Sequence, residues 1–343
     1  MKILVTGSDG YIGSRLSPIL LAAGHDVTGL DSGLYRDGWL YTTRNVRLVQ
    51  PTLNIDLRDV TPRDFEGFEA VVHLAELSND PLGQNDPKVT EAINFEGSAR
   101  LARIARDAGV RRFVYASSCS VYGMATQEWV DETSATNPQT AYARCKVMVE
   151  NALRPMASPD FCVTSLRNAT AYGASPRLRF DIVLNDLCAV AWTAKRIVMT
   201  SDGTPWRPIV HVEDICQAVT CALDSPVERV NGEVMNVGGD EENYRIRDLA
   251  AIVAETFPGC EVTVGSSAGD NRSYRVSFRK IRERMPAYRT QWNARRGAQE
   301  LYELFKRIDM PQDIYKFRAF TRLKQLQYLI RTGQVDADLR WKY

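Results

Sequence analysis

A parallel α/β sheet, doubly wound with helices on both faces, is the fold class this sequence predicts. Two observations carry the prediction: short apolar runs alternate with stretches of helical spacing through the first half, and a glycine-rich turn joins the first run to the first helix. With 343 residues and 44% hydrophobic content, the chain can bury a large core in one or two domains.

Ile3-Leu4-Val5 reads as the first strand, and Ser14 to Ala23 as a helix ending near Gly24. Asp26 to Leu30 is the second strand, closed by the Asp31-Ser32-Gly33 turn. Ala70 to Leu74 and Phe113 to Ala116 are further buried strands, with helical spacing from Thr90 to Ala108 between them. Residues 141–153 form another helix, and Phe161 to Leu166 the next strand. After Gly173 the pattern changes: 177–179 is basic and irregular, and a helix spans about Asp181 to Ala194. The chain is expected to return to the sheet through Ile209 to Val212 and Val234 to Val237. Beyond Asp240 lie short helices and Arg-rich segments, and 310–343 reads as a packed helical tail. This predicts one domain of residues 1–173 and 206–239, and a smaller lobe of 174–205 and 240–343.

Lys+Arg of 43 against Asp+Glu of 42 leaves a net charge of +1, so no general field draws the chain to nucleic acid or membranes. Phosphate binding must come from local sites. The opening Met1 to Gly7 is too short for a signal peptide, and no run reaches the ~20 apolar residues of a membrane span. Seven cysteines show no CxxC pair and no metal spacing, which predicts a reduced, cytoplasmic protein without bound zinc.

Thr6-Gly7-Ser8-Asp9-Gly10-Tyr11-Ile12-Gly13 lies between a strand and a helix, the context in which spaced glycines bind a dinucleotide. Gly7 permits the tight turn, Gly10 lets the backbone approach a pyrophosphate, and Gly13 lets the helix pack on the strand. Tyr11 and Ile12 belong to the same loop. Asp31 ends the second strand, where a carboxylate accepts hydrogen bonds from the adenosine ribose and repels a 2′-phosphate. That favours NAD over NADP, with Arg36 nearby as the contrary sign. Asp56, followed by Leu57, either approaches the adenine amine or is a solvated loop carboxylate. Tyr142 and Lys146 stand one helical turn apart on one face. With Ser118 upstream, they describe chemistry at a hydroxyl or carbonyl carbon.

These residues resemble the extended short-chain dehydrogenase/reductase family, specifically its nucleotide-sugar epimerases and dehydratases. The resemblance rests on Thr6-Gly7-x-x-Gly10-x-x-Gly13, Asp31, Asp56-Leu57, His73-Leu74-Ala75, Asn94 and Ser117-Ser118-x-x-Val121-Tyr122-Gly123. It continues through Tyr142-x-x-x-Lys146, Leu166-Arg167, Tyr172-Gly173 and Arg207-Pro208-Ile209-Val210-His211-Val212-Glu213-Asp214. It implies a Rossmann-type doubly wound parallel sheet with a smaller, discontinuous C-terminal substrate-binding lobe. NAD would be the cofactor and a nucleotide-diphosphate sugar the substrate. Leu74, Ala75 and Asn94 would join the glycine turn, Asp31, Asp56 and Leu57 in lining the cofactor. Tyr142 would act as base or acid on the sugar. With a reference pKa of about 10 it is a poor base near neutrality, and Lys146 and the nicotinamide charge would lower that value. Lys146 would also hold the nicotinamide ribose, and Ser118 the reacting oxygen. Relatives pair helices 90–108 and 141–153 across a dimer, so a homodimer is expected.

Departures narrow the reaction. Sugar 4,6-dehydratases carry an Asp-Glu pair directly after the Ser/Thr; here those positions are Cys119 and Ser120. A decarboxylase would carry Glu at the Ser120 position. Cys119 is either an acid/base group or a packed thiol, and Ser117 and Ser120 read as ordinary strand-end hydroxyls. Thr170 stands where the family has Asn, with Asn168 two residues earlier, and Glu76 stands where Ala is usual.

Ser78 and Asn79 would face the sugar, with Asn168 near them. Arg207 and Arg272 would hold the diphosphate, for which guanidinium forks are suited; Arg177 and Arg179 are further candidates. Asn185 would hold either the diphosphate or a neighbouring backbone. His73 and His211 read as packed, structural histidines. The expectation is an NAD-dependent nucleotide-sugar epimerase. The alternatives are an NAD(P)H-dependent 4-ketosugar reductase, a dehydratase with atypical acid/base residues, and a non-catalytic dinucleotide sensor.

Overall fold

Ile3, Leu4 and Val5 are completely buried on both faces of the strand Lys2–Thr6, which places that strand at the centre of a covered sheet. The computed structural model describes residues 1–42, 49–78, 87–125, 127–267 and 273–342. Its main sheet has seven strands, all parallel. From edge to edge they are Thr52–Leu53, Asp26–Leu30, Lys2–Thr6, Ala70–His73, Arg112–Ser118, Cys162–Asn168 and Glu233–Val237. The chain winds outward from Lys2–Thr6, then crosses back to start again at Ala70–His73. At that reversal the connections leave the strands' C-terminal ends in opposite directions and open a crevice, where ligands bind in folds of this kind. Register is set by the apolar runs, with Ile3 beside Val27 on one side and Ala70 on the other.

The helices cover both faces. Gly13–Ala22 ends at Gly24, which takes a positive φ of 84°. The expected helix from Thr90 to Ala108 is Pro87–Glu91 and Ser98–Asp107, joined by a π-helical turn at Ala92–Gly97. Ala141–Leu153 is capped by the Thr140 hydroxyl, which accepts from the Ala143 N–H.

Val234 to Val237 joins the main sheet as expected, but Ile209 to Val212 does not. The strand Trp206–His211 lies in a separate three-stranded sheet with Thr170–Tyr172 and Asn243–Arg245. Its first half pairs antiparallel with 243–245, and its second half pairs parallel with 170–172. Pro208, which lacks an N–H, stands at the changeover. Around this sheet, helices Val183–Ala194, Ile246–Thr256 and Ala294–Arg307 pack on Leu184, Leu249, Leu301 and Phe305.

The tail folds into helices Gln312–Lys316 and Arg322–Arg331. Leu326, Leu329, Val335 and Leu339 are buried in the same core as Leu4 and Leu30, so this end of the chain packs on the first strands. No helix among the described residues is long and apolar enough to cross a membrane.

Candidate active site

The crevice at the reversal is a cavity of about 870 Å³. Gly7, Gly10, Tyr11, Ile12, Gly13 and Asp31 line one end, and Ser118, Tyr142 and Lys146 line it further along. Ser78, Asn168 and Arg207 also face it, as do Asp56, Leu57, Leu74, Ala75 and Cys119. Asn79 and Arg272 lie outside the described residues.

Gly7 has a φ of 71°, and a Cβ there would sit 2.9 Å from the Ala75 nitrogen. A Cβ at Gly13 would lie 2.3 Å from the Gly7 carbonyl oxygen, so the turn closes only with glycine at both positions. Asp31 is oriented by two backbone donors, Gly33 N–H to Oδ1 at 2.8 Å and Asp9 N–H to Oδ2 at 3.1 Å. Burial raises its pKa despite those donors. Arg36, the contrary sign for NAD, bonds Asp9 at 3.3 Å instead of reaching across the pocket. Asp56 is taken up by Arg58 through two oxygens at 2.6 and 2.9 Å.

Lys146 is buried beside Tyr142, its ammonium 5.3 Å from that ring's centre and 4.7 Å from the Tyr115 ring. It bonds the Ala116 carbonyl and pairs with Glu76 Oε2 at 2.7 Å. The Tyr115 hydroxyl donates to the other Glu76 oxygen at 2.7 Å. Burial works against charge on Lys146, but Glu76 and the Tyr142 hydroxyl outweigh it and keep the ammonium protonated. Beneath it, His73 bonds Thr6 Oγ1 at 2.7 Å and Ser98 Oγ at 2.8 Å. Burial, aided by the Lys146 charge, pushes its pKa down to about 3, so it is a neutral structural residue. His211 is also fully buried; its Nδ1 accepts from Glu213 N–H, and its ring stacks on Trp292 at 3.8 Å.

Several expected site residues serve the frame instead. Asn94 is fully buried and does not line the cavity: its amide accepts from Leu77 N–H at 2.8 Å and donates to Leu77 O at 3.0 Å. It fixes the loop that carries Glu76 and Ser78. Asn185 takes the second of its two options: its Oδ1 accepts from Gly173 N–H at 3.0 Å and its Nδ2 donates to Arg179 O at 3.1 Å. It therefore shapes the backbone. The Cys119 thiol donates to Arg167 O at 3.1 Å, and burial raises its pKa far above the ordinary thiol value. A thiol held protonated in this way is unsuited to accept a proton. Ser117 bonds Glu150, which pairs with Arg167 at 2.7 Å under the cavity floor.

Two groups lining the cavity carry more than the sequence suggested. Arg179 grips Ser78 through Oγ at 2.9 Å and the carbonyl at 3.1 Å, while its Nε meets Asp181 at 2.8 Å. Asn168 Oδ1 and Ser120 Oγ, on residues that line the cavity, are buried with no hydrogen-bond partner among the described residues. Two unanswered polar atoms beside Ser118 suit a ligand rich in hydroxyls.

Residues 3–238 match the NAD dependent epimerase/dehydratase family. The chain belongs to that family. A UDP-glucose 4-epimerase of Mycolicibacterium smegmatis is 31% identical over 296 residues, covering 82% of this chain and 92% of the relative. An uncharacterised UDP-glucose epimerase of Bacillus subtilis is 29% identical over 277 residues, covering 77% and 84%. Among solved structures, MoeE5 in complex with UDP-glucose and NAD has a TM-score of 0.76 at 25% identity, over 90% of this chain and 99% of that one. The protein is an NAD-dependent enzyme of the nucleotide-sugar epimerase/dehydratase type. Its residues fit the cofactor: a glycine turn that a Cβ would fill, a carboxylate held by two backbone donors beside it, and a buried ammonium in the same cavity.

Proposed function

We propose that this enzyme is a redox-neutral nucleotide-sugar epimerase acting on a UDP-hexose. The observation that carries the reading is the convergence of Ser118, Tyr142 and Lys146 on one cavity whose next positions, Cys119 and Ser120, supply no acid/base pair. Loss of water would need such a pair beyond the tyrosine. NAD, when bound, takes up and returns the hydrogen of the sugar carbon. Tyr142 accepts the hydroxyl proton and gives it back, while Lys146 keeps positive charge beside it. Ser118 steadies the reacting oxygen, and Asn168 and Ser120 offer acceptors to neighbouring hydroxyls. Arg207 receives the diphosphate; relatives named UDP-glucose 4-epimerase support uridine as the base. A homodimer through the 98–107 and 141–153 helices belongs to the same proposal.

Purified protein given UDP-glucose or UDP-galactose without added cofactor should drive each towards the same mixture, followed by anion-exchange chromatography and proton NMR. Turnover that appears only with added NAD(P)H and a keto sugar would replace the epimerase by a reductase. A product lacking a molecule of water would replace it by a dehydratase.

A further inference from the structure

The tail brings a second cation into the cleft. Arg322 is 5% exposed and lines the same cavity as Gly10 and Asp31. Its guanidinium lies 3.9 Å from the centre of the Tyr35 ring. Asp181, the carboxylate nearest in role, is engaged by the Arg179 side chain at 2.8 Å and caps the Arg322 backbone N–H at 3.1 Å. Burial and the repulsion of Arg179 together lower the Arg322 pKa to about 10, against the pull of Tyr35, Asp181 and Asp31. Such a buried cation is costly until an anion meets it.

The position of Arg322 says which anion. It lines the one cavity that also holds the glycine turn, Asp31 and, further along, Tyr142 and Lys146, and it rests on Tyr35, four residues after Asp31. A dinucleotide laid along that cavity carries its two negative charges between its nucleosides, and a guanidinium fork lining it is suited to meet them. The tail is fastened to the segment that follows Asp31. Gln325 Nε2 donates to Leu34 O and Asp37 Oδ2, each at 3.2 Å, and Trp341 Nε1 donates to Ser32 O at 2.7 Å. Arg318 pairs with Asp37 at 2.7 Å.

We propose that the segment 318–341 is a strap that retains NAD, with Arg322 binding the cofactor's pyrophosphate opposite the glycine turn. The family match ends at residue 238, well before this segment. The inference rests on NAD dependence and stands or falls separately from the epimerase reading.

The test compares wild type with Arg322→Ala and Arg322→Lys, free of substrate. NAD released on denaturation is quantified by mass spectrometry, its dissociation rate is measured on reloaded protein, and UDP affinity is measured by calorimetry on NAD-loaded protein. Arg322→Ala is expected to dissociate NAD at least about tenfold faster and to lose most of the NAD-induced rise in Tm, with UDP affinity unchanged. Arg322→Lys should fall between, because ammonium keeps the charge without the fork. Should Arg322→Ala fail to fold, Arg322→Lys decides. An unchanged NAD dissociation rate would overturn the proposal. So would weakened UDP binding with NAD unaffected, which would assign Arg322 to the diphosphate of the sugar substrate.

Discussion

Two buried cations share this cleft and are handled in opposite ways. Lys146, at the reacting end, is answered inside the fold by Glu76 at 2.7 Å. Arg322, towards the adenosine end, rests on the face of Tyr35 and is pushed by Arg179. A cation that the protein neutralises by itself can stay in place through every turnover and act on its neighbour. A cation left short of its complement waits for a ligand. One end of the cleft is therefore built for chemistry and the other for retention.

The largest expected effect separates the two ends. Tyr142→Phe should lower turnover by roughly 10²–10⁴-fold while the purified protein keeps as much NAD as wild type. That pattern is the reverse of Arg322→Ala, and undiminished turnover in Tyr142→Phe would take the proton transfer away from this tyrosine.

Next comes stability, through His73 beneath Lys146. Its folded pKa of about 3 lies below the unfolded reference of 6.5, so the unfolded chain binds the extra proton as pH falls. Its contribution is complete above pH 6.5 and shrinks on acidification towards 3. Between pH 7 and pH 5 this group alone should remove about 2 kcal/mol of unfolding free energy. Denaturant titrations at the two pH values check this, and His73→Asn should flatten the difference.

A smaller shift tests the Glu76–Lys146 pair. Glu76→Gln removes the carboxylate that keeps Lys146 charged against burial, so the tyrosine loses its cationic neighbour and should hold its proton to higher pH. The acid limb of the kcat–pH profile should move to higher pH by about one unit, roughly 1.4 kcal/mol. An unmoved limb would show that Glu76 only packs. The smallest effect is expected of Cys119→Ala, within about threefold of wild-type kcat, since losing a buried thiol that does no proton transfer costs mainly packing.

Much of this was legible in the sequence for a physical reason. Ile3-Leu4-Val5, Ala70-Val71-Val72 and Phe113-Val114 are short apolar runs that only a doubly covered sheet can bury, and the glycine turn has few other solutions. The Tyr142 and Lys146 pair is local, one helical turn apart, so spacing alone places it. Long-range choices were not legible. Trp206–His211 has the look of a core strand, but Pro208 and the pairing with 170–172 and 243–245 take it elsewhere. Asn94 and Asn185 fit a ligand-binding pattern, yet their amides are spent on the backbone of Leu77 and Gly173. Glu76 stood out as a departure, but only the approach of two strands and a helix shows that it meets Lys146. Arg322 was one arginine of many in a basic tail, and its burial depends on contacts with residues almost 300 positions earlier.

The strap also ties distant segments of the chain together. At one side Phe180 N–H donates to Phe320 O at 2.9 Å, beside the helices that pack on Leu184 and Phe305. At the other, Gln325 and Trp341 hold Leu34 and Ser32. The tail thus joins the segment after Asp31 to the segment that carries Phe180, and those two cannot separate without breaking one of these bonds.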